Sequence, residues 1–209
     1  MPTLPPSFLV RVSVPVGSVD GPFNWKTADR LTPLPDWKTL DGDGGELKLA
    51  AGWSDEGLIF AIDVRSAKPP IGKVDDPTKG DSVVLCVDTR DTKSIRRAGR
   101  FCHRFRVVPN GKDAYVRQEP VPRAREDATF GPSKSEAVLK TVKGGYRLLV
   151  RLDASNLTGF APADSPRLGL FAATYGRDGS SHGMVGDDKL PMDADPSLWT
   201  SIELVDAVE

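Results

Sequence analysis

The stretch ELKLAAGWSDEGLIFAIDV, residues 46–64, decides the fold. Leu47, Leu49 and Ala51 alternate with Glu46 and Lys48, and Leu58, Phe60, Ile62 and Val64 alternate with Ala61 and Asp63. A period of two puts successive side chains on opposite faces of an extended chain, so each run reads as a half-buried strand. The link between them, Trp53 to Gly57, carries Asp55 and Gly57, residue types that supply the positive φ of a tight turn. The two strands are therefore predicted to form a hairpin.

The same pattern continues outward. Strands are predicted at 81–88, 101–108, 114–118, 135–142, 146–153, 168–175 and 201–205, with hairpin turns at Asn110-Gly111 and Gly144-Gly145 and one helical turn at 154–157. Residues 65–80, rich in Pro, Lys, Asp and Gly and without periodicity, read as a long loop of the kind that often binds ligands. With 20 Gly and 18 Pro, long helices are not expected. About ten strands and no helix of ~10 residues predict an all-β, antiparallel two-sheet β-sandwich. Residues 1–17, with the run Phe8 to Val14 beside Pro15, form an N-terminal arm or edge strand, and residues 18–209 the sandwich domain. The apolar phase of the strands predicts a core of Leu58, Phe60, Ile62, Leu85, Val87, Phe105, Leu148, Val150 and Leu170.

Charge narrows the function classes. Lys plus Arg number 28 and Asp plus Glu 29, with two His, for a net charge of -1. This balance excludes a generally basic nucleic-acid binder and an acidic disordered tail. No apolar run approaches the ~18 residues of a membrane span. The opening residues lack a basic n-region and Arg11 breaks their apolar run, so no signal peptide is expected. Cys86 and Cys102 are too few for a disulfide scaffold or a thiolate zinc site, and are read as reduced, partly buried thiols; a bridge needs Cα atoms within ~7 Å.

Several segments, taken in order, carry a family resemblance. They are Val19-Asp-Gly21 with Trp25 and Ala28, the hairpin from Leu47 to Val64, Gly80-Asp-Ser-Val-Val-Leu-Cys-Val-Asp88, and Phe105-Arg-Val-Val-Pro-Asn-Gly111. Gly144-Gly-Tyr146 through Leu157, Arg167-Leu-Gly-Leu170 and Asp195-Pro-Ser-Leu-Trp-Thr-Ser-Ile-Glu-Leu204 complete the set. Together, over residues 18–206, they resemble the family 9 carbohydrate-binding modules and the wider set of DOMON-like sandwich domains. The resemblance implies an immunoglobulin-like or jelly-roll sandwich, an extracytoplasmic location, and attachment to saccharide without catalysis. In sugar-binding members a Glu that bonds sugar hydroxyls stands where this chain has Val84, and a Trp that walls the sugar clamp stands where it has Thr78. Losing an acceptor and a stacking platform argues against a plain neutral sugar held in the family's manner.

An acidic ligand is the expectation that replaces it. The run Arg96-Arg-Ala-Gly-Arg-Phe-Cys-His-Arg-Phe-Arg106 holds five arginines. On a strand, Phe101, His103 and Phe105 face one way and Arg104 and Arg106 the other, the face that carries Val84. Arg104 and Arg106, with Arg100 and its neighbours in the preceding loop, would grip a carboxylate or sulfate bidentately; the alternative is a solvated face with ion pairs. His103 reads as a hydrogen-bonded structural histidine. Asp41, Asp43 and Glu46, carboxylates interleaved with glycines, are candidate calcium ligands, the alternative being a polar turn. His182, Met184, Lys189 and Met192 are residue types that haem-binding relatives of the fold use as axial ligands. No nucleophile-base order or phosphate loop stands out, so the chain reads as a non-enzymatic binding module, the alternatives being an interaction domain that has lost sugar binding or a haem carrier.

Overall fold

The hairpin of residues 46–64 consists of β3 (Leu47–Ser54) and β4 (Gly57–Arg65), paired antiparallel from Leu47 opposite Val64 to Ser54 opposite Gly57. Gly57 has φ 135°, and a Cβ there would lie 2.0 Å from the carbonyl oxygen of Leu152, so both turn geometry and close packing demand glycine. The computed structural model describes residues 13–36, 46–66, 68–130, 133–184 and 190–206. Its other strands are β1 (Val14–Gly17), β2 (Thr32–Pro33), β5 (Ser82–Asp88), β6 (Cys102–Asn110), β7 (Asp113–Glu119), β8 (Glu136–Val142), β9 (Gly145–Asp153), β10 (Arg167–Tyr175), β11 (Ser181–Gly183) and β12 (Thr200–Val205). The predicted helical turn is a 3₁₀ turn, Ala154–Asn156.

The chain is all-β, but the expectation of two separate antiparallel sheets is corrected. The strands form one hydrogen-bonded ladder in the order β1-β12-β10-β5-β6-β7-β8-β9-β4-β3-β2, with β11 added beside β10. Two features join what would otherwise be two layers. β7 and β8 share only the pairs Asp113 with Val138 and Ala114 with Ala137. At the far side β1 runs parallel to β12, and Ser18 bridges Trp53 of β3, whose indole donates to the Val205 carbonyl at 2.9 Å. The result is a flattened, nearly closed barrel.

All nine residues of the predicted core are fully buried inside it. A second apolar layer lies outside β4 and β9: Val19, Ala28 and Leu31 pack on Ile59, Ala61 and Leu149. Asn24 caps the single α-helical turn of that layer, Trp25–Ala28, by accepting from the amides of Lys26 and Thr27. On the opposite side, residues 190–199 cover the outer face of β5, β6 and β10, burying Met192 and Trp199. Strands covered on both faces need apolar side chains on both, which is why every residue of β5 is buried and its sequence runs VVLCV instead of alternating.

His103 sits inside as expected, fully buried, with Nε2 donating to the Thr158 carbonyl at 3.2 Å and Nδ1 accepting from the Gln118 amide at 3.3 Å. Burial pulls its pKa from 6.5 down to about 4. Between those values the unfolded chain binds a proton that the folded chain does not, so stability falls as pH drops through this window and is flat above it. Urea unfolding at pH 7 and pH 5 is expected to show a loss of about 2 kcal/mol from this group. The drop should be smaller by that amount in His103→Gln; an equal drop in both proteins would contradict the assignment.

Candidate functional site

β6 places Arg104 and Arg106 on the face opposite Phe105, with Cys86 and Val84 of β5 as their Cα partners. The side chains emerge on the predicted side of the sheet, yet they are only 7% and 5% exposed. Arg106 donates through Nε to both carboxylate oxygens of Glu119 at 3.0 Å, and through a terminal nitrogen to Ser82 Oγ at 2.9 Å. Arg104 donates to Glu119 as well, and to Asp193 at 3.4 Å. The Arg106 guanidinium lies 5.3 Å from the ring centroid of Tyr175, whose hydroxyl donates to Asp193 at 3.2 Å. Burial, with the Asp193 carboxylate beside it, pushes the Tyr175 phenol up to about 12, so it stays a neutral donor.

The other predicted site residues are dispersed, except that Glu46, with His182, lines an open cleft at the end of β4. Val84 is fully buried beside the arginines. Arg100 stands apart in the β5–β6 connection, exposed, its guanidinium 4.9 Å from the Phe101 ring centroid. Thr78 is exposed on the 3₁₀ turn Pro77–Lys79 and donates to Asp76 at 2.6 Å. Of the calcium candidates, Asp41 and Asp43 lie outside the described residues, and the Glu46 carboxylate faces His182 Nε2 at 3.2 Å. Among the described residues no group of three or more His, Cys, Asp or Glu is placed to hold a metal ion. Met184 and Met192 are buried in the core, and Lys189 is outside the described residues. Cys86 and Cys102 are free and buried, and burial pushes the Cys102 thiol up to about 12, which makes it inert.

The open site lies elsewhere. A cleft of about 410 Å³ forms where the end of β4, the starts of β5 and β9, and β10 with β11 converge. Tyr146 and Tyr175 line its inner wall, and Arg65, Lys68, Asp81, Arg177, Asp178 and Ser180 stand around it. Two of its carboxylates hold the surrounding turns. Asp81 accepts from the amides of Ile71 at 2.7 Å and Arg177 at 3.0 Å, tying the 66–80 loop to the β10–β11 turn. Asp178 accepts from the amide and hydroxyl of Ser180 at 3.0 and 2.6 Å. Arg65, Lys68 and Arg177 are exposed, and none forms an ion pair among the described residues. The cleft thus carries three cationic side chains without ion-pair partners, beside the Asp81 and Asp178 carboxylates that bond the turns and the Glu46–His182 pair. The long loop after Arg65 flagged one side of this cleft; on the β10–β11 side the strand 168–175 was predicted and His182 was singled out for other chemistry, while the turn 176–180 and the three-residue strand after it leave no periodic signal.

No family model matches the chain, and none of the curated proteins matches it. Among solved structures it is similar to a family 9 carbohydrate-binding module from Caldicellulosiruptor kristjanssonii. The complex of that module with cellotriose superposes with a TM-score of 0.62 at 18% identity, covering 96% of both chains. Its complex with glucose gives 0.64 at 16% identity, covering 96% of this chain and 98% of the other. The chain has the fold of the family 9 carbohydrate-binding modules, as the order of its sequence motifs implies.

Proposed function

We propose that the chain is a non-catalytic saccharide-binding module and that its ligand is an acidic saccharide seated in the cleft between Arg65, Lys68 and Arg177. The supporting observation is the set of unpaired cationic donors beside Tyr146 and Tyr175, in an open cleft, on a fold whose solved neighbours hold cellotriose and glucose. Sugar hydroxyls and carboxylates are matched by fixed cationic donors. In this reading Arg104 and Arg106 do not grip the ligand themselves. They brace the wall by holding Tyr175 between the guanidinium of Arg106 and the Asp193 carboxylate.

A second reading, an interaction barrel that has lost sugar binding, is favoured by one observation. The face that carries Val84 in place of a sugar-bonding glutamate is buried, with Asp193 seated on Arg104. Titration against neutral, uronic and sulfated oligosaccharides separates the two. The acidic members should bind most tightly at low salt, and Arg177→Ala should weaken them about tenfold or more, the worth of one charge-assisted hydrogen bond, with the melting temperature unchanged. Absence of binding to every member of the panel would leave the interaction reading.

A further inference from the structure

At the opposite end of β5 from the cleft, roughly 20 Å away along the strand, six arginines gather on two connections that are laced together. Arg90, Arg96, Arg97 and Arg100 belong to the β5–β6 connection, and Arg123 and Arg125 follow β7. The Arg125 amide donates to the Ala98 carbonyl at 2.8 Å, and Arg97 Nε donates to the Arg123 carbonyl at 3.0 Å. Arg123 adopts φ 58°, a conformation an arginine rarely takes, in presenting that carbonyl. Arg96, Arg97 and Arg123 line a cleft of about 420 Å³ together with Asp195, whose carboxylate accepts from the amide and hydroxyl of Ser197.

Like Arg65 and Arg177 of the cleft, these arginines have no ion-pair partner among the described residues. Arg104, Arg106, Arg147, Arg151 and Arg167 all form ion pairs with carboxylates. None of the six does among the described residues, and the nearby Lys93 is already paired with Asp91. Like charges crowded without partners repel one another and cost stability unless an anion joins them.

We infer that this surface binds an anionic polysaccharide chain, separately from the cleft; the choice of polysaccharide rests on the saccharide-binding reading. The chemistry on the page selects against other polyanions. A single-stranded nucleic acid needs open aromatic faces for its bases. The ring beside these arginines, Phe101, is already engaged by Arg90 and Arg100 at 5.0 and 4.9 Å, and Phe130 alone makes no stacking platform for successive bases. A lipid surface wants exposed apolar anchors. Of the exposed large apolar residues, Ile71, Tyr115 and Val142 lie outside the two arginine-bearing connections, and Phe130, five residues beyond Arg125, is a single ring and not an apolar anchor patch. What remains is recognition by charge alone, suited to a flexible chain of sulfate or carboxylate groups without bases, which guanidinium forks engage bidentately.

The test is titration with dextran sulfate, plain dextran and polyuridylate, using the wild type, Arg96→Gln/Arg100→Gln/Arg125→Gln, and the cleft variant Lys68→Ala/Arg177→Ala. The wild type should bind dextran sulfate but not dextran in about 50 mM salt, and lose about tenfold or more in affinity by about 300 mM. The triple variant should lose about tenfold or more at an unchanged melting temperature, and the cleft variant should lose clearly less than the triple variant does. Undiminished binding by the triple variant, or tighter binding to polyuridylate than to dextran sulfate, overturns the proposal. Loss of dextran sulfate binding in the cleft variant alone overturns the arginine surface while sustaining the acidic-saccharide reading of the cleft. Failure of the cleft to bind oligosaccharides, with dextran sulfate still lost in the triple variant, sustains the surface and removes the cleft reading.

Discussion

Glu119→Ala is expected to cost about 3–5 kcal/mol of folding stability, the largest effect of any polar substitution proposed for this chain. Glu119 is the shared acceptor of Arg104 and Arg106, both buried. Removing it leaves two guanidiniums out of water, with Ser82 and a 3.4 Å contact to Asp193 as their remaining side-chain hydrogen-bond acceptors. The penalty is that of uncompensated buried charge, so it should vanish when the charges go together. A triple replacement of Arg104, Arg106 and Glu119 by Met, Met and Leu should recover most of the lost stability. Chemical denaturation of both variants checks this; a Glu119→Ala protein as stable as the wild type would show that the arginines reach solvent.

Phe105→Ala should cost a similar ~3–5 kcal/mol by a different cause, the cavity left in a close-packed interior. Phe105 is fully buried on β6, opposite Leu85 of β5, and its ring stacks on His103 with centroids 6.4 Å apart. Phe105→Leu, which keeps most of the volume, should lose much less. Equal losses for Ala and Leu would mean that volume is not what the site demands.

The fold was legible where burial is one-sided or where turns carry their own chemistry. Period-two alternation located β3, β4 and β9, and a Gly in each hairpin link marked the turns; Gly111 and Gly144 both take positive φ, at 66° and 81°. The nine core residues followed from strand phase alone. Closure into one ladder was not legible, since it depends on two pairs between β7 and β8 and on a parallel β1 whose Pro15 argues for a sheet edge. At the arginine face the sequence showed which way Arg104 and Arg106 point but not what lies over them. Their burial depends on Asp193, some ninety residues on, folding back across β6, a contact with no local pattern. The cleft was half legible: the aperiodic 66–80 loop announced one wall, while Arg177 and Ser180 entered through a turn that only tertiary structure brings beside Asp81.

An acidic saccharide in the cleft at Tyr146 and Tyr175 is the proposal for this chain's ligand. The most direct measurement is an amide NMR titration of the whole chain with an oligouronate at low salt. Saturable shifts confined to Arg65, Ser66, Lys68, Asp81, Tyr146, Arg177 and Ser180, weakened in Arg177→Ala, are the predicted result. No shifts at these residues, or equal shifts in Arg177→Ala, would contradict it.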